Sequence, residues 1–350
     1  MGELKTRGIV GELVSQAAWE WRAQQMPVDG SNTLTSRPSR RLRSPLVWFG
    51  GKGVLARRIV SLFPSHHIYV EPFSGGASCL FAKHPSPVEV LNDVDGDIVN
   101  FFRVLRDPHK FERFHQLAAL TPYSREEFVR YRRDWRARWH SCEECADDVE
   151  RAYRWYVIAR MSFAGEVGRS WGRSVGTSRL GMANAVAQWL SIVDMLPEIA
   201  ERVRSVQVEH GDWLDVVQAY DGSDTLFYID PPFVRSTRRG GKYRFEMDDA
   251  DHGRLVEVLR SIEGKALVSG YRNDIYSVLE AQGWGRVDIS MVCFAAGRTR
   301  RAGLQGPGSL SRRGTSHFRT ESVWISPAAR MCAPGQLSSE HIQGTLDLGI

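Results

Sequence analysis

The sequence predicts an α/β protein built on a doubly wound, mostly parallel sheet, interrupted by a helical insert and finished by a terminal antiparallel hairpin. Three observations predict it. From Pro45 onward, short β-rich apolar runs alternate with helical ones, the pattern of a parallel sheet covered by helices. Between about Asp107 and Arg204 the strand signal disappears in favour of helices with charged faces. At the end, "GRVDISMVCFA" and "ESVWIS" bracket a loop in the manner of two joined strands.

The elements follow in order. Residues 1 to 44 form an N-terminal extension, helix-compatible from Leu13 to Gln25 and then polar and basic in "DGSNTLTSRPSRRLRS". The first part of the catalytic domain, residues 45 to 106, reads as the strand "HIYVEPF", a loop entering a helix at "GGASCLFAK", the strand "PVEVLND" and the helix "GDIVNFFRVLR". Two βα units in succession imply a doubly wound sheet. Residues 107 to 205 form the helical insert, which holds Trp135, Trp139, Trp155, Trp171 and Trp189. The sheet resumes over residues 206 to 327 with "SVQVEHGDWLDVV", "TLFYIDPPF", the helix "DDADHGRLVEVLRSI" and the strand "KALVSGY". Residues 328 to 350 read as a tail.

Composition narrows the class. Of 350 residues, 42% are hydrophobic and 25% charged, which excludes wholesale disorder and supplies a sizeable core. No apolar run approaches the roughly 20 residues that span a bilayer, and "MGELKTRGIVGELVSQ" lacks a signal-peptide core, so a cytoplasmic location is the expectation. Five scattered cysteines are no disulfide framework. Cys142 and Cys145 have metal-like spacing without a second pair nearby, and no metal is expected. A net charge of +5 suits an anionic partner, and residues 296 to 320 carry six arginines and no acid. That loop, with Arg298, Arg300, Arg301, Arg312 and Arg313, is read as a phosphate-contacting surface.

The chemistry concentrates at strand ends. In "VEPFSGGAS" the glycines fall where a strand turns into a helix, so that backbone can approach a ligand closely. The dinucleotide pattern G-x-G-x-x-G and its pyrophosphate cradle are absent. Asp93 ends the second strand about twenty residues later, where a carboxylate can accept from ribose hydroxyls; capping the next helix is its structural alternative. A ribose acceptor without a pyrophosphate loop points to a nucleoside cofactor such as S-adenosylmethionine. In "WFGGKG" Trp48 offers a flat face to a sulfonium, and Lys52 offers a donor to the cofactor carboxylate.

"TLFYIDPPF" carries the reaction. A strand delivers Asp230 to the carboxyl edge of the sheet, where ligands of open α/β sheets bind. Pro231 and Pro232 lock φ, and each restricts the residue before it, so the Asp230 carboxylate and the Pro231 carbonyl become two fixed acceptors. Gripping both hydrogens of an exocyclic amine turns its lone pair toward a methyl group, which is catalysis by orientation and electrostatics. Phe233 offers a face on which a flipped base can stack.

The order "WFGGKG", "EPFSGGAS", "LND", helical insert, "HGDW", "DPPF", hairpin resembles the Dam-like class of DNA adenine-N6 methyltransferases, in the versions found in phages and restriction-modification systems, over roughly residues 45 to 327. The resemblance implies a Rossmann-like S-adenosylmethionine-dependent methyltransferase sheet, with double-stranded DNA as substrate and, in restriction systems, a nuclease as partner. Trp48, Gly50, Gly51 and Lys52 would hold the methionine end of the cofactor. Glu71, Pro72, Phe73, Gly75 and Asp93 would line its nucleoside, with Asp212 and Trp213 framing the adenine. Asp230, Pro231, Pro232 and Phe233 would act on the target base; Phe233 stands where the family more often has Tyr, which keeps stacking and loses a phenol hydroxyl. The insert would read DNA, and "RMSFAGEVGRSWGRS" presents Arg169 and Arg173 for that purpose, arginine being suited to bidentate contact with guanine. Methylation of cytosine N4 or RNA, and DNA binding without catalysis, are the alternatives. In the tail, Gln343, Leu346 and Leu348 follow an order similar to peptides that dock on bacterial sliding clamps, without the usual final aromatic.

Overall fold

A computed structural model of the chain describes residues 42–141, 147–238, 243–292 and 318–331. The N-terminal extension before Leu42, Cys142, Cys145, the arginines from Arg298 to Arg313 and the clamp-like tail lie outside the described residues.

One seven-stranded sheet organises them. Its parallel part comprises β1 (Ile68–Glu71), β2 (Val88–Asn92), β5 (Gln207–Glu209), β6 (Thr225–Ile229) and β7 (Lys265–Gly270). The antiparallel pair β8 (Gly285–Val292) and β9 (Phe318–Ile325) is not a free-standing hairpin, because β9 also pairs with β7, giving the order β5-β2-β1-β6-β7-β9-β8. The order reverses direction at β1, where β2 lies on one side and β6 on the other. Such a switch point opens a crevice at the carboxyl ends of the strands.

Aspartates start most of the helices on which the site depends. Asp95 caps α3 (Gly96–Arg106), Asp107 caps α4 (Pro108–Leu120), Asp147 caps α6 (Asp148–Met161) and Asp212 caps α9 (Trp213–Tyr220), each accepting from an N–H one turn in. Asp248 and Asp251 form a capping box at α10 (Asp249–Ser261). The cap of α3 is thus Asp95, which leaves Asp93 for another use.

Among the described residues, five further helices lie between β2 and β5: α4, α5 (Arg125–Ser141), α6, α7 (Asn184–Val193) and α8 (Leu196–Val203). The same stretch also holds a two-stranded hairpin, β3 (Ser178–Arg179) and β4 (Met182–Ala183), whose turn puts Leu180 and Gly181 at φ 52° and 73°. Two residues per strand are too few to leave a periodic signal. One buried apolar cluster runs without a break from one sheet face, through Tyr69, Leu226, Tyr228 and Val323, into Phe101, Trp155 and Trp189 of the helices. The other face packs Val70, Phe227 and Trp324 against α9 and α10. No helix among the described residues is long and apolar enough to cross a membrane.

Candidate active site

Strand alternation decides which side chains meet. On β6, Leu226 and Tyr228 belong to the cluster shared with the helices, so Asp230, next in phase, emerges on that same face at the carboxyl edge. On β1 the same phase brings Tyr69 and then Glu71; on β9 it brings Ile325, Val323 and then Glu321. Three carboxyls from three strands therefore gather at one end of one face.

Lys52 fills the space among them. Its ammonium lies 2.6 Å from Asp230 Oδ1, 3.3 Å from Glu321 Oε1 and donates to the Gly50 carbonyl at 2.8 Å. It also sits 4.6 Å from the centre of the Phe233 ring. Lys52 is 3% exposed, and although burial opposes its charge, the two carboxylates raise its pKa well above that of a free lysine. Its ammonium thus faces three protein oxygens. The donor expected for a cofactor carboxylate is accordingly turned inward, toward Asp230.

A cleft of about 720 Å³, counting the part open to solvent, begins at this cluster, and Trp48, Lys52, Glu71, Gly75, Asp93 and Asp230 all line it. Its charged lining is acidic: Glu71, Asp93, Asp95 and Asp230 against Lys52 and Arg244. Burial pushes Glu71 up to about 8, although the Tyr69 hydroxyl and the Leu80 N–H both donate to it. Burial likewise raises Asp93 to about 6 and Asp95 to about 7, and it raises Asp230 against the pull of Lys52. Crowded, poorly solvated carboxyls are stabilised by an incoming cation.

Asp93 ties the cleft's parts together, accepting from the Gly75 N–H on Oδ2 and from the Asp95 N–H on Oδ1, both at 2.9 Å. Each oxygen keeps a lone pair for a hydroxyl donor. Asn92 holds the flanking loops, donating to the carbonyls of Pro72 and Gly211 and accepting from the Gly211 N–H.

Two of the cleft glycines make room for aromatic neighbours. Gly75, at φ 45°, would place a Cβ 2.8 Å from Trp48 Nε1, and Gly50, at φ 75°, would place one on the Tyr243 hydroxyl. They admit neighbouring rings, and Trp48 and Tyr243 line the cleft beside them. Gly51 stands in the same turn, its N–H donating to the Trp48 carbonyl.

The remaining expected residues divide. Trp213 is buried behind the cleft, stacked on Phe73 at 6.0 Å, and exposed Asp212 spends one oxygen on its helix cap, so neither lines the cleft directly. Pro232 lines it, whereas Pro231 and Phe233 do not. Phe233 is 5% exposed and meets Tyr271 edge-on at 4.9 Å. In the insert, residues 162–172 form a closed loop, with the Phe163 N–H donating to Ser170 and the Gly172 N–H to Met161, and it contacts the tryptophan motif where the Phe49 N–H donates to Gly165. Arg169 is exposed but pairs with Glu166, and Arg132 donates to its carbonyl; exposed Arg173 makes no ion pair among the described residues.

Several cleft residues escaped sequence reasoning. Tyr243, Arg244 and Phe245 follow the proline motif and form a wall, with Arg244 donating to Asp95 and Asp97 at 2.8 Å each. Glu321 did leave a trace, since it is an acid in phase with two buried aliphatics, Val323 and Ile325.

A switch-point cleft with an acid after the second strand, and a carboxylate before two prolines, fits the site expected of a methyltransferase. Comparison makes the class specific. The chain belongs to the D12 class of N6 adenine-specific DNA methyltransferases, whose family model matches residues 48–288. It is 28% identical over 245 residues to a Type II methyltransferase of Lactococcus lactis subsp. cremoris, covering 67% of this chain and 82% of that protein. It is 25% identical over 221 residues to a DNA N-6-adenine-methyltransferase of Escherichia phage P1, covering 62% of this chain but only 28% of that larger protein. The protein is an enzyme that methylates adenine in DNA at N6.

Proposed function

We propose that this enzyme takes its methyl group from S-adenosylmethionine and delivers it to an adenine flipped out of a specific site in duplex DNA, with Asp230 as the residue that orients N6. The observation that carries this reading is the Asp230–Lys52 pair lining an acidic cleft. The pair uses Oδ1 of Asp230, and Oδ2 is the oxygen left to accept a hydrogen from N6. The Pro231 carbonyl is the second acceptor, and stacking of the base on Phe233 requires that ring, 5% exposed and edge-on to Tyr271, to be uncovered when DNA binds.

The cleft suits such a cofactor. Asp93 has acceptor capacity for a ribose, Trp48 and Tyr243 supply aromatic walls, and four carboxyls favour a cation. When bound, S-adenosylmethionine supplies a methyl group already activated by its sulfonium. Asp230 holds the amino group with its lone pair toward the cleft, and its carboxylate is the nearest acceptor for the proton that N6 sheds. Trp213 and Phe73 back the nucleoside end. Residues 107 to 205 read the site, with exposed Arg173 available to a base or phosphate and Arg169 available once released from Glu166.

The test is to incubate the protein with labelled S-adenosylmethionine and unmethylated duplex DNA, digest to nucleosides and map modified positions by sequencing. Label in N6-methyladenine at one short motif is expected, and its loss in Asp230→Ala with DNA binding retained. Retention of a tenth of the rate by that variant would refute the role of Asp230.

A further inference from the structure

Glu321 lies outside every motif that defines the site. It stands on β9, near the amino end of the strand and just before Ser322, which pairs with Gly270 at the carboxyl end of β7. Its side chain is 8% exposed, and Oε1 makes no hydrogen bond among the described residues; the Lys52 ammonium at 3.3 Å is the opposite charge it faces. A carboxylate held inside for structural reasons normally has its oxygens satisfied, because an unsatisfied buried charge is expensive. Here the register that buries Val323 and Ile325 forces an acid toward the ammonium that serves Asp230.

We propose that Glu321 is a positioning residue for methyl transfer, sharing the Lys52 ammonium with Asp230 and thereby setting how strongly Asp230 accepts the N6 hydrogen. The inference rests on the reading of Asp230 given above. One cation between two carboxylates cannot neutralise both. With Glu321 charged, Lys52 divides its positive field, and Asp230 stays a better acceptor than it would be alone with a lysine at 2.6 Å. This ammonium also faces the Gly50 carbonyl, the Phe233 ring and the Tyr243 phenol, and the Cys79 thiol and the Tyr228 and Tyr276 phenols neighbour the same charges; burial raises all four titratable groups, which stay neutral at working pH. Glu71, on the neighbouring strand, adds a further carboxyl near Asp230. The two carboxylates therefore titrate as a pair, and the acid limb of the rate belongs to both.

The experiment is single-turnover methylation of duplex DNA across pH for the wild type, Glu321→Gln, Glu321→Asp and Asp230→Asn, with cofactor and DNA affinities and thermal unfolding of each. Glu321→Gln leaves Lys52 wholly to Asp230. The expected result is an acid limb displaced downward by about one pH unit and a plateau rate reduced about tenfold, with both affinities within about threefold of wild type, and partial recovery of both in Glu321→Asp. A Glu321→Gln profile superimposed on that of the wild type, or a loss confined to affinity, would overturn the proposal. If Glu321→Gln does not fold, the profile of Glu321→Asp decides: its shorter arm lengthens the contact with Lys52 and must shift the limb the same way, and superposition again overturns it. Asp230→Asn separates the two readings. An active Asp230→Asn removes the role of Asp230 itself, whereas an inactive one beside an unshifted Glu321→Gln removes only that of Glu321.

Discussion

The Lys52 ammonium lies 2.6 Å from the Asp230 carboxylate, joining a motif that precedes the first strand to the motif that ends the fourth strand of the parallel order. The contact makes the two motifs one electrostatic unit. Removing the cation by Lys52→Met leaves Asp230 and Glu321 facing each other unneutralised, so both resist ionisation more strongly. We expect the acid limb of single-turnover methylation to move to higher pH, opposite in sign to the effect of neutralising Glu321, with transfer slowed about a hundredfold at neutral pH. Stability should fall by about 3–5 kcal/mol near neutrality, as for other broken buried pairs, and recover toward acid pH, where the carboxyls protonate. Chemical denaturation across the same pH range checks the second part.

Glu71 predicts a pH dependence of stability. Its carboxyl is 2% exposed, and burial raises its folded pKa to about 8 from an ordinary 4.5. The folded state thus binds this proton more tightly than the unfolded chain. The stabilisation is fully present below pH about 4.5 and is lost as pH rises toward about 8, with a slope of up to about 1.4 kcal/mol per pH unit. Glu71→Gln, which keeps a neutral side chain of the same shape, should flatten the decline; unfolding curves at several pH values for both proteins measure it.

Gly50 makes room for a hydroxyl. In Gly50→Ala the new methyl overlaps the Tyr243 hydroxyl, and the backbone at φ 75° becomes strained for any L side chain. We expect a loss of about 2–4 kcal/mol in stability, strain and overlap together, and at least tenfold weaker cofactor binding. Adding Tyr243→Phe removes the overlapping atom, leaving the ring carbon 3.4 Å from the methyl, and should restore part of both losses but not the backbone term. Calorimetric titration of the single and double variants distinguishes the two contributions.

Arg244 latches the cleft wall. It donates to both Asp95 and Asp97 at 2.8 Å, while Asp97 also receives the Trp135 indole and Arg151. In Arg244→Ala, Asp97 keeps two partners and Asp95 loses its cation, so burial drives Asp95 further toward its neutral form. A destabilisation of about 1–3 kcal/mol is expected. Combining the change with Asp95→Asn should cost less than the sum of the two, because the interaction is shared. A double-mutant cycle in urea provides the number.

Much of this site was legible in the residues themselves. The strands "HIYVE", "VEVLN" and "TLFYI" announce themselves by apolar runs ended by turn residues, and each delivers its last acid to the same edge because parallel strands point the same way. Asp93 and Asp230 could thus be assigned to one cleft before any coordinates. Local signals also placed helix α3, since its aspartate cap and apolar face lie within one segment, although the cap proved to be Asp95. The β3–β4 hairpin went unread because two-residue strands carry no period.

The order of elements and the place of the acid before the two prolines are encoded in contiguous residues with local physical causes, whereas the reaction class came from the resemblance carried by the whole motif order and from the family match. Tertiary structure decided the partners. That Lys52 contacts Asp230 and Glu321 together, and that Gly50 and Gly75 admit Tyr243 and Trp48, follow from placing β9 beside β7 and the glycine turn above β6. Charges act through space over a few ångströms, and only the strand order of the folded sheet determines which of them come that close.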